Sequence, residues 1–230
     1  MIKIYPYQEL GHADHGWLNA RHHFSFASYQ NPNRTGFGKL KVINDDIIQA
    51  KSGFATHPHQ DMEIITYVRS GAITHKDSNG NEGRTEAGDI QVMSAGSGIK
   101  HSEYNLEDEQ TNLYQIWIEP NEIGVTPRWD AKVFPKDPVT DKLPLLVSSK
   151  NDSAPLFIYQ DAQIYGGCLD AGTVIDHPIK SQAYVLISKG EADLDGNALK
   201  HGDGAEITDQ SQIKITAIGR TEILVIDIPN

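Results

Sequence analysis

Cysteine is almost absent: Cys168 is the only one in 230 residues. An intramolecular disulfide is impossible, and so are a CxxC redox pair and a cysteine-rich zinc site. Basic residues are in deficit, with 20 Lys and Arg against 31 Asp and Glu and a formal net charge of −11. No Lys/Arg cluster interrupts that balance. A surface of this sign repels nucleic acid and anionic lipid, so direct nucleic acid binding is not expected. Long apolar runs are missing too. They reach four to seven residues, far short of the roughly 18 a membrane helix needs. The first fifteen residues hold no apolar stretch of the secretory kind. The expected address is the cytoplasm, with no membrane partner. No long segment keeps a 3.6-residue period, so long helices are not expected.

What is present is a series of short runs rich in Val, Ile and Tyr, such as Met62–Val68, Leu113–Ile118, Ala183–Ile187 and Ile223–Ile228. Turn signals separate them: Ser-Asn-Gly-Asn at 78–81, Ala-Gly-Asp at 87–89, Asp-Gly-Asn at 195–197. Short strands at regular spacing predict an all-β sandwich or barrel. Short helices are expected at most near 137–142 and in the N-terminal region. The pattern also repeats. Gly71, Gly80 and Gly88 recur as Gly190, Gly196 and Gly202 at offsets of 119, 116 and 114. This predicts two copies of one β-module, 1–136 and 137–230, joined near 137–153 where Pro, Asp, Lys and Ser concentrate.

Among ten histidines, His57-Pro-His59 and His101-Ser-Glu103 stand out. In a strand, residues i and i+2 share a face. Each pair can therefore converge on one point, and two such strands facing each other would offer three imidazoles and a carboxylate, a set suited to a divalent transition metal. Pro58 has no ladder N–H and belongs at a strand end or bulge. The remaining histidines have plainer readings. His12, His15, His22 and His23 are structural or exposed, and the adjacent pair cannot chelate together. Phe24, Phe26 and Tyr29 are core or the wall of a cavity mouth. His75 and His201 flank turn glycines and are expected at the surface. Cys168 reads as a buried small hydrophobe.

The segment Gly53…His57-Pro-His59…Glu63…Gly71 followed by Gly88…Gly96…His101…Asn105 resembles the two cupin motifs. Ser94 stands where the second motif has proline, and the spacing from Gly96 to His101 is longer. Those departures, together with GWLNARHHFSFASY (16–29), THPHQDMEIITYV (56–68), MSAGSGIKHSEYN (93–105) and LYQIWIEP (113–120), are similar to the pirin family. The likeness spans at least residues 11–129. It implies a bicupin of two facing β-sandwich modules, with metal only in the first. It also implies metal ligands at His57, His59, His101 and Glu103. Standard cupins instead use the glutamate at the place of Glu63, which is kept here as a residue orienting an imidazole. Carried forward by 120, His57 lands on His177, His59 on Ile179 and Glu63 on Ala183; carried forward by 114, His101 lands on Ile215. The second module therefore lacks a ligand set, and His177 reads as a loop histidine.

The resemblance further implies bacterial quercetin 2,3-dioxygenase activity: a flavonol and O2 as substrates, carbon monoxide and a depside as products. Glu103 would be ligand and proton acceptor. Iron is the first expectation for the metal, with nickel, cobalt, manganese, copper and zinc as alternatives. The competing reading is a non-enzymatic metal or redox sensor that binds a protein partner, as eukaryotic pirins are described. A deep apolar pocket beside the metal would favour a flat aromatic substrate.

Overall fold

The computed structural model describes residues 1–150 and 152–230; residue 151 of the expected linker lies outside them. Twenty-two strands make up nearly all regular structure. The first twelve are β1 (Ile2–Tyr5), β2 (Gly11–Asp14), β3 (Leu18–His22), β4 (Leu40–Ile48), β5 (Ser52–His59), β6 (Glu63–Ser70), β7 (Ala72–Asp77), β8 (Glu82–Glu86), β9 (Ile90–Ser94), β10 (Ile99–Asn105), β11 (Thr111–Ile118) and β12 (Arg128–Lys132). The rest are β13 (Leu145–Ser149), β14 (Leu156–Ile158), β15 (Gln163–Leu169), β16 (Val174–Pro178), β17 (Gln182–Lys189), β18 (Glu191–Leu194), β19 (Asn197–Lys200), β20 (Gly204–Ile207), β21 (Gln212–Ala217) and β22 (Thr221–Ile228). Among the described residues the only helical element is a 3-10 turn, Tyr7–Glu9. The region 137–142 is irregular: Pro138 within it offers no donor, and Pro135 and Pro144 flank it. Among the described residues no helix is long and apolar enough to cross a membrane.

The strands form two sandwiches, each of one seven-stranded and one four-stranded sheet. In the first, β12-β9-β6-β11-β4-β3-β2 lies against β5-β10-β7-β8; in the second, β1-β20-β17-β22-β15-β13-β14 lies against β16-β21-β18-β19. The two large sheets meet through a shared apolar layer that joins Ile43, Ile65, Tyr114 and Ile116 to Ile164, Tyr184, Leu186 and Leu224. Strands β6 and β22 are therefore covered on both faces and are buried almost throughout. Strands β10 and β21 have one face in water and alternate. The expected bicupin of facing β-sandwiches is what the chain forms.

The predicted repeat is visible in the backbone. All six glycines, 71/190, 80/196 and 88/202, have φ between 74° and 87°. At Gly190 a Cβ would also lie 2.3 Å from the Arg220 carbonyl oxygen. We propose 136/137 as the module boundary, with one exception. Strand β1 crosses over and pairs antiparallel with β20 in the second module's sheet.

The two interiors differ. The second sandwich encloses one continuous aliphatic core running from Leu169 to Val225. The first has two separate small clusters, one around Ile48, Val68 and Leu113, the other around Ile64, Met93 and Ile99. Polar side chains lie between them.

Candidate metal centre

Strands β5 and β10 are antiparallel neighbours in the small sheet of the first module, so the two motifs lie side by side rather than on opposed strands. His57 is in register with His101, and the ladder shifts between His101 and Glu103, where β5 takes one extra residue. Pro58 sits near the end of β5, which is an edge strand, so its missing N–H costs no ladder bond. His57, His59 and His101 converge with ligand atoms within 4.8 Å of one another. Glu103 joins an overlapping group with His101 and His75.

The tautomers follow from their partners. The Nδ1–H of His57 donates to the Ala55 carbonyl at 2.7 Å, leaving Nε2 bare. On the other side, Nε2 of His75 lies 3.1 Å from an Asp77 carboxylate oxygen. A carboxylate only accepts, so His75 carries its proton there and its Nδ1 accepts. His101 Nδ1, 3.4 Å away, supplies that proton and keeps its own Nε2 bare. The two bare Nε2 atoms face each other at 3.1 Å. The Nε2 of His59 is buried without any partner. Burial, reinforced by the neighbouring imidazoles, pushes His59 down to about 4 and His101 to about 3. Both are neutral near pH 7. Three convergent imidazoles fit a divalent transition metal.

Glu103 is held from the large sheet. Thr66 Oγ1 and Gln91 Nε2 donate to one oxygen at 3.0 and 2.7 Å, and Gln115 Nε2 donates to the other at 2.5 Å. Register places these donors in one row across five strands: His22, Asn44, Gln115, Thr66, Gln91. The corresponding row of the second module reads Tyr165, Val225, Val185, Ala205. Thr66 and Val185 each stand five residues before their turn glycine, 71 and 190. In the second module that row offers no amide or hydroxyl placed like those of Asn44, Gln115, Thr66 and Gln91, apart from the Tyr165 hydroxyl.

Several sequence expectations change. Glu63 points away from the site: it shares its face of β6 with Ile65 and Tyr67, which pack toward the second module. It accepts from Ser94 Oγ at 2.8 Å and touches no imidazole, while burial raises it to about 7. His75 is fully buried, not exposed, and stacks on Trp129 at 5.0 Å and 8°. His177 is a buried strand residue, edge-on to Tyr165, not a loop histidine. Opposite it stands Ile213 rather than Ile215. Cys168 is half-buried. His22 and His23 do face opposite ways: His22 lines the cavity beside Asn44, and His23 meets Tyr184 of the second module. Phe24 is core, and Phe26 lines the cavity. His12, His15 and His201 are exposed.

The three histidines and Glu103 open onto a cavity of about 430 Å³. Its walls are largely aromatic and aliphatic, with Trp17, Phe26, Phe54, Ile64 and Trp117. Trp117 meets His59 edge-on at 5.0 Å.

Two family models match this chain: Pirin over residues 4–118 and the quercetinase C-terminal cupin domain over residues 145–228. The chain belongs to the pirin family. It is 50% identical over 230 residues to a pirin-like protein of Caulobacter vibrioides, covering 99% of each. It is 44% identical over 232 residues to a quercetin 2,3-dioxygenase of Escherichia coli, covering 100% of this chain and 99% of the relative. The crystal structure of the bacterial pirin YhhW from Escherichia coli in complex with nickel(II) superposes with a TM-score of 0.93. It shares 42% identity and covers 100% of this chain and 99% of that one. This pirin is thus similar along its whole length to a relative seen with a bound metal.

Proposed function

We propose that this pirin holds one divalent transition metal through His57, His59, His101 and Glu103 and cleaves flavonols such as quercetin with O2. The reaction balances as quercetin plus O2 giving a depside and one carbon monoxide. The observation that carries the reading is the cavity: an aromatic-walled space beside three convergent imidazoles fits a flat, oxygen-bearing aromatic. The relatives named quercetin 2,3-dioxygenase and the nickel-bound pirin support it. When bound, the metal supplies Lewis acidity toward the flavonol hydroxyl and a place for both reactants.

The chain's own residues do the rest. His57 and His101 present Nε2 because Ala55 and the Asp77–His75 pair fix their tautomers. Glu103 keeps one oxygen with a single donor, and on this reading that oxygen accepts the proton leaving the flavonol 3-hydroxyl. Trp17, Phe26, Phe54 and Trp117 exclude water and confine a planar ring. Iron remains the first expectation, with nickel next because of the relative that holds it. Apo protein loaded separately with Fe(II), Ni(II), Co(II), Mn(II) or Cu(II) tests the reading through loss of quercetin absorbance. Metal-dependent turnover supports it. Tight binding of one ion with no turnover by any metal favours the sensor reading, with a protein partner.

A further inference from the structure

One acid in the cavity wall has no structural task. Consecutive residues on β4 point to opposite faces, and Asp45 and Asp46 meet opposite fates. Asp45 turns toward the second module and forms a buried ion pair with Arg69. Asp46 turns into the metal cavity, is 2% exposed, and has a buried carboxyl oxygen with no partner. Its row across the sheet is otherwise apolar: Ala20 on one side, Leu113 and then Val68 on the other. A buried polar group without a partner destabilises a fold, so folding alone gives no reason for an acid here. Burial in that apolar row, with the charge of Asp45 nearby, holds its carboxyl well above the usual carboxylate range, so it presents an O–H.

A second unpartnered atom lies diagonally across from it. Asp46 pairs with Leu113, and Gln115 is two residues along on the same face. Gln115 must give its Nε2 to Glu103, since a carboxylate accepts only, and its Oε1 is left buried without a partner. A carboxyl donor and an amide acceptor thus line the cavity, the amide beside Glu103, and each has an oxygen without a partner among the described residues.

We propose that Asp46 is the specificity residue of this cavity, donating a hydrogen bond to an oxygen of the seated substrate while Gln115 Oε1 accepts one from a substrate hydroxyl. The ligand class is a planar aromatic with an acceptor oxygen close to a hydroxyl. This rests on the flavonol reading and deepens it. It explains why a wall otherwise built of Trp, Phe and Ile keeps a buried acid.

The test is equilibrium binding to zinc-loaded protein, where no redox chemistry intrudes. Quenching of Trp17 and Trp117, both in the cavity wall, reports occupancy by quercetin and, separately, by catechol. Asp46→Leu is expected to bind quercetin about ten- to a hundredfold more weakly, hold one zinc per chain, and melt at or above the wild-type temperature. Asp46→Asn keeps a donor and is expected to stay within about threefold of wild type. The pattern of lower affinity with undiminished stability is one that a merely structural residue does not produce. Unchanged quercetin affinity in Asp46→Leu, or an equal loss in Asp46→Asn, overturns the proposal. If wild type binds catechol but not quercetin, the flavonol reading fails, and the same Leu-against-Asn contrast, read on catechol, still decides Asp46. If it binds neither, both fall.

Discussion

Replacing His75 with phenylalanine isolates the second layer of the metal site. The aromatic ring is kept, so the stack on Trp129 at 5.0 Å and 8° survives. Asp77 stays in place, because its carboxylate also accepts from the backbone N–H groups of Asn79 and Asn81 and from the Asn81 side chain. What is lost is the acceptor for His101 Nδ1–H. Without metal the loss is small, since His101 can move its proton to Nε2 and donate to His57 at 3.1 Å. With metal on Nε2 that escape is closed, and a buried N–H is left unpaired. The penalty of about 1–3 kcal/mol falls on the loaded state alone, which is roughly ten- to a hundredfold in metal affinity. Competition of Ni(II) or Zn(II) against a chelating indicator measures it. An affinity within twofold of wild type, with the fold intact, would refute the tautomer argument.

Other outcomes follow from the same geometry. His59→Ala removes one of three convergent nitrogens and should abolish metal retention through gel filtration; elemental analysis reads the result. Glu103→Gln keeps one acceptor oxygen but turns the other into an NH2 that faces the Gln115 donor and accepts no proton, and should lower turnover at least tenfold while some metal remains. Arg69→Met leaves Asp45 buried and uncompensated, costs about 3–5 kcal/mol, and should lower the melting temperature by roughly 10 °C. In the apo protein, burial pushes His23 to about 3 and His177 to about 4, with His59 and His101 similarly low. Each stays neutral in the fold while the unfolded chain takes up a proton below its ordinary value near 6.5. Their contribution is therefore full above that pH and is lost as the pH drops toward 4, opposed by Glu63 and Asp46, whose raised carboxyls favour the fold as the pH falls; a melting temperature that rises between pH 7 and 5 would contradict the burial of these rings.

The histidine cluster was legible because it depends on a local rule. His57/His59 and His101/Glu103 share faces by strand alternation, and the register that pairs His57 with His101 brings them close. The repeat was legible because glycines with positive φ leave few alternatives. His75 and Asp77 obey the same i, i+2 rule, yet their role depends on β7 being the other neighbour of β10, which spacing does not reveal. Glu63 misleads because its face is set by which side of β6 meets the second module, a long-range fact. The same applies to Asp46, whose polarity is informative only once its row is known to be apolar. The crossing of β1 to β20 spans nearly the whole chain and leaves no local trace.

The central claim is that one metal, held by His57, His59, His101 and Glu103, drives ring cleavage of a flavonol. Headspace carbon monoxide measured beside quercetin consumption, in metal-loaded wild type and in His59→Ala given the same metal, tests it most directly. The account predicts one carbon monoxide per quercetin consumed in wild type and none in the variant. Quercetin loss without carbon monoxide, or equal release from both proteins, would contradict it.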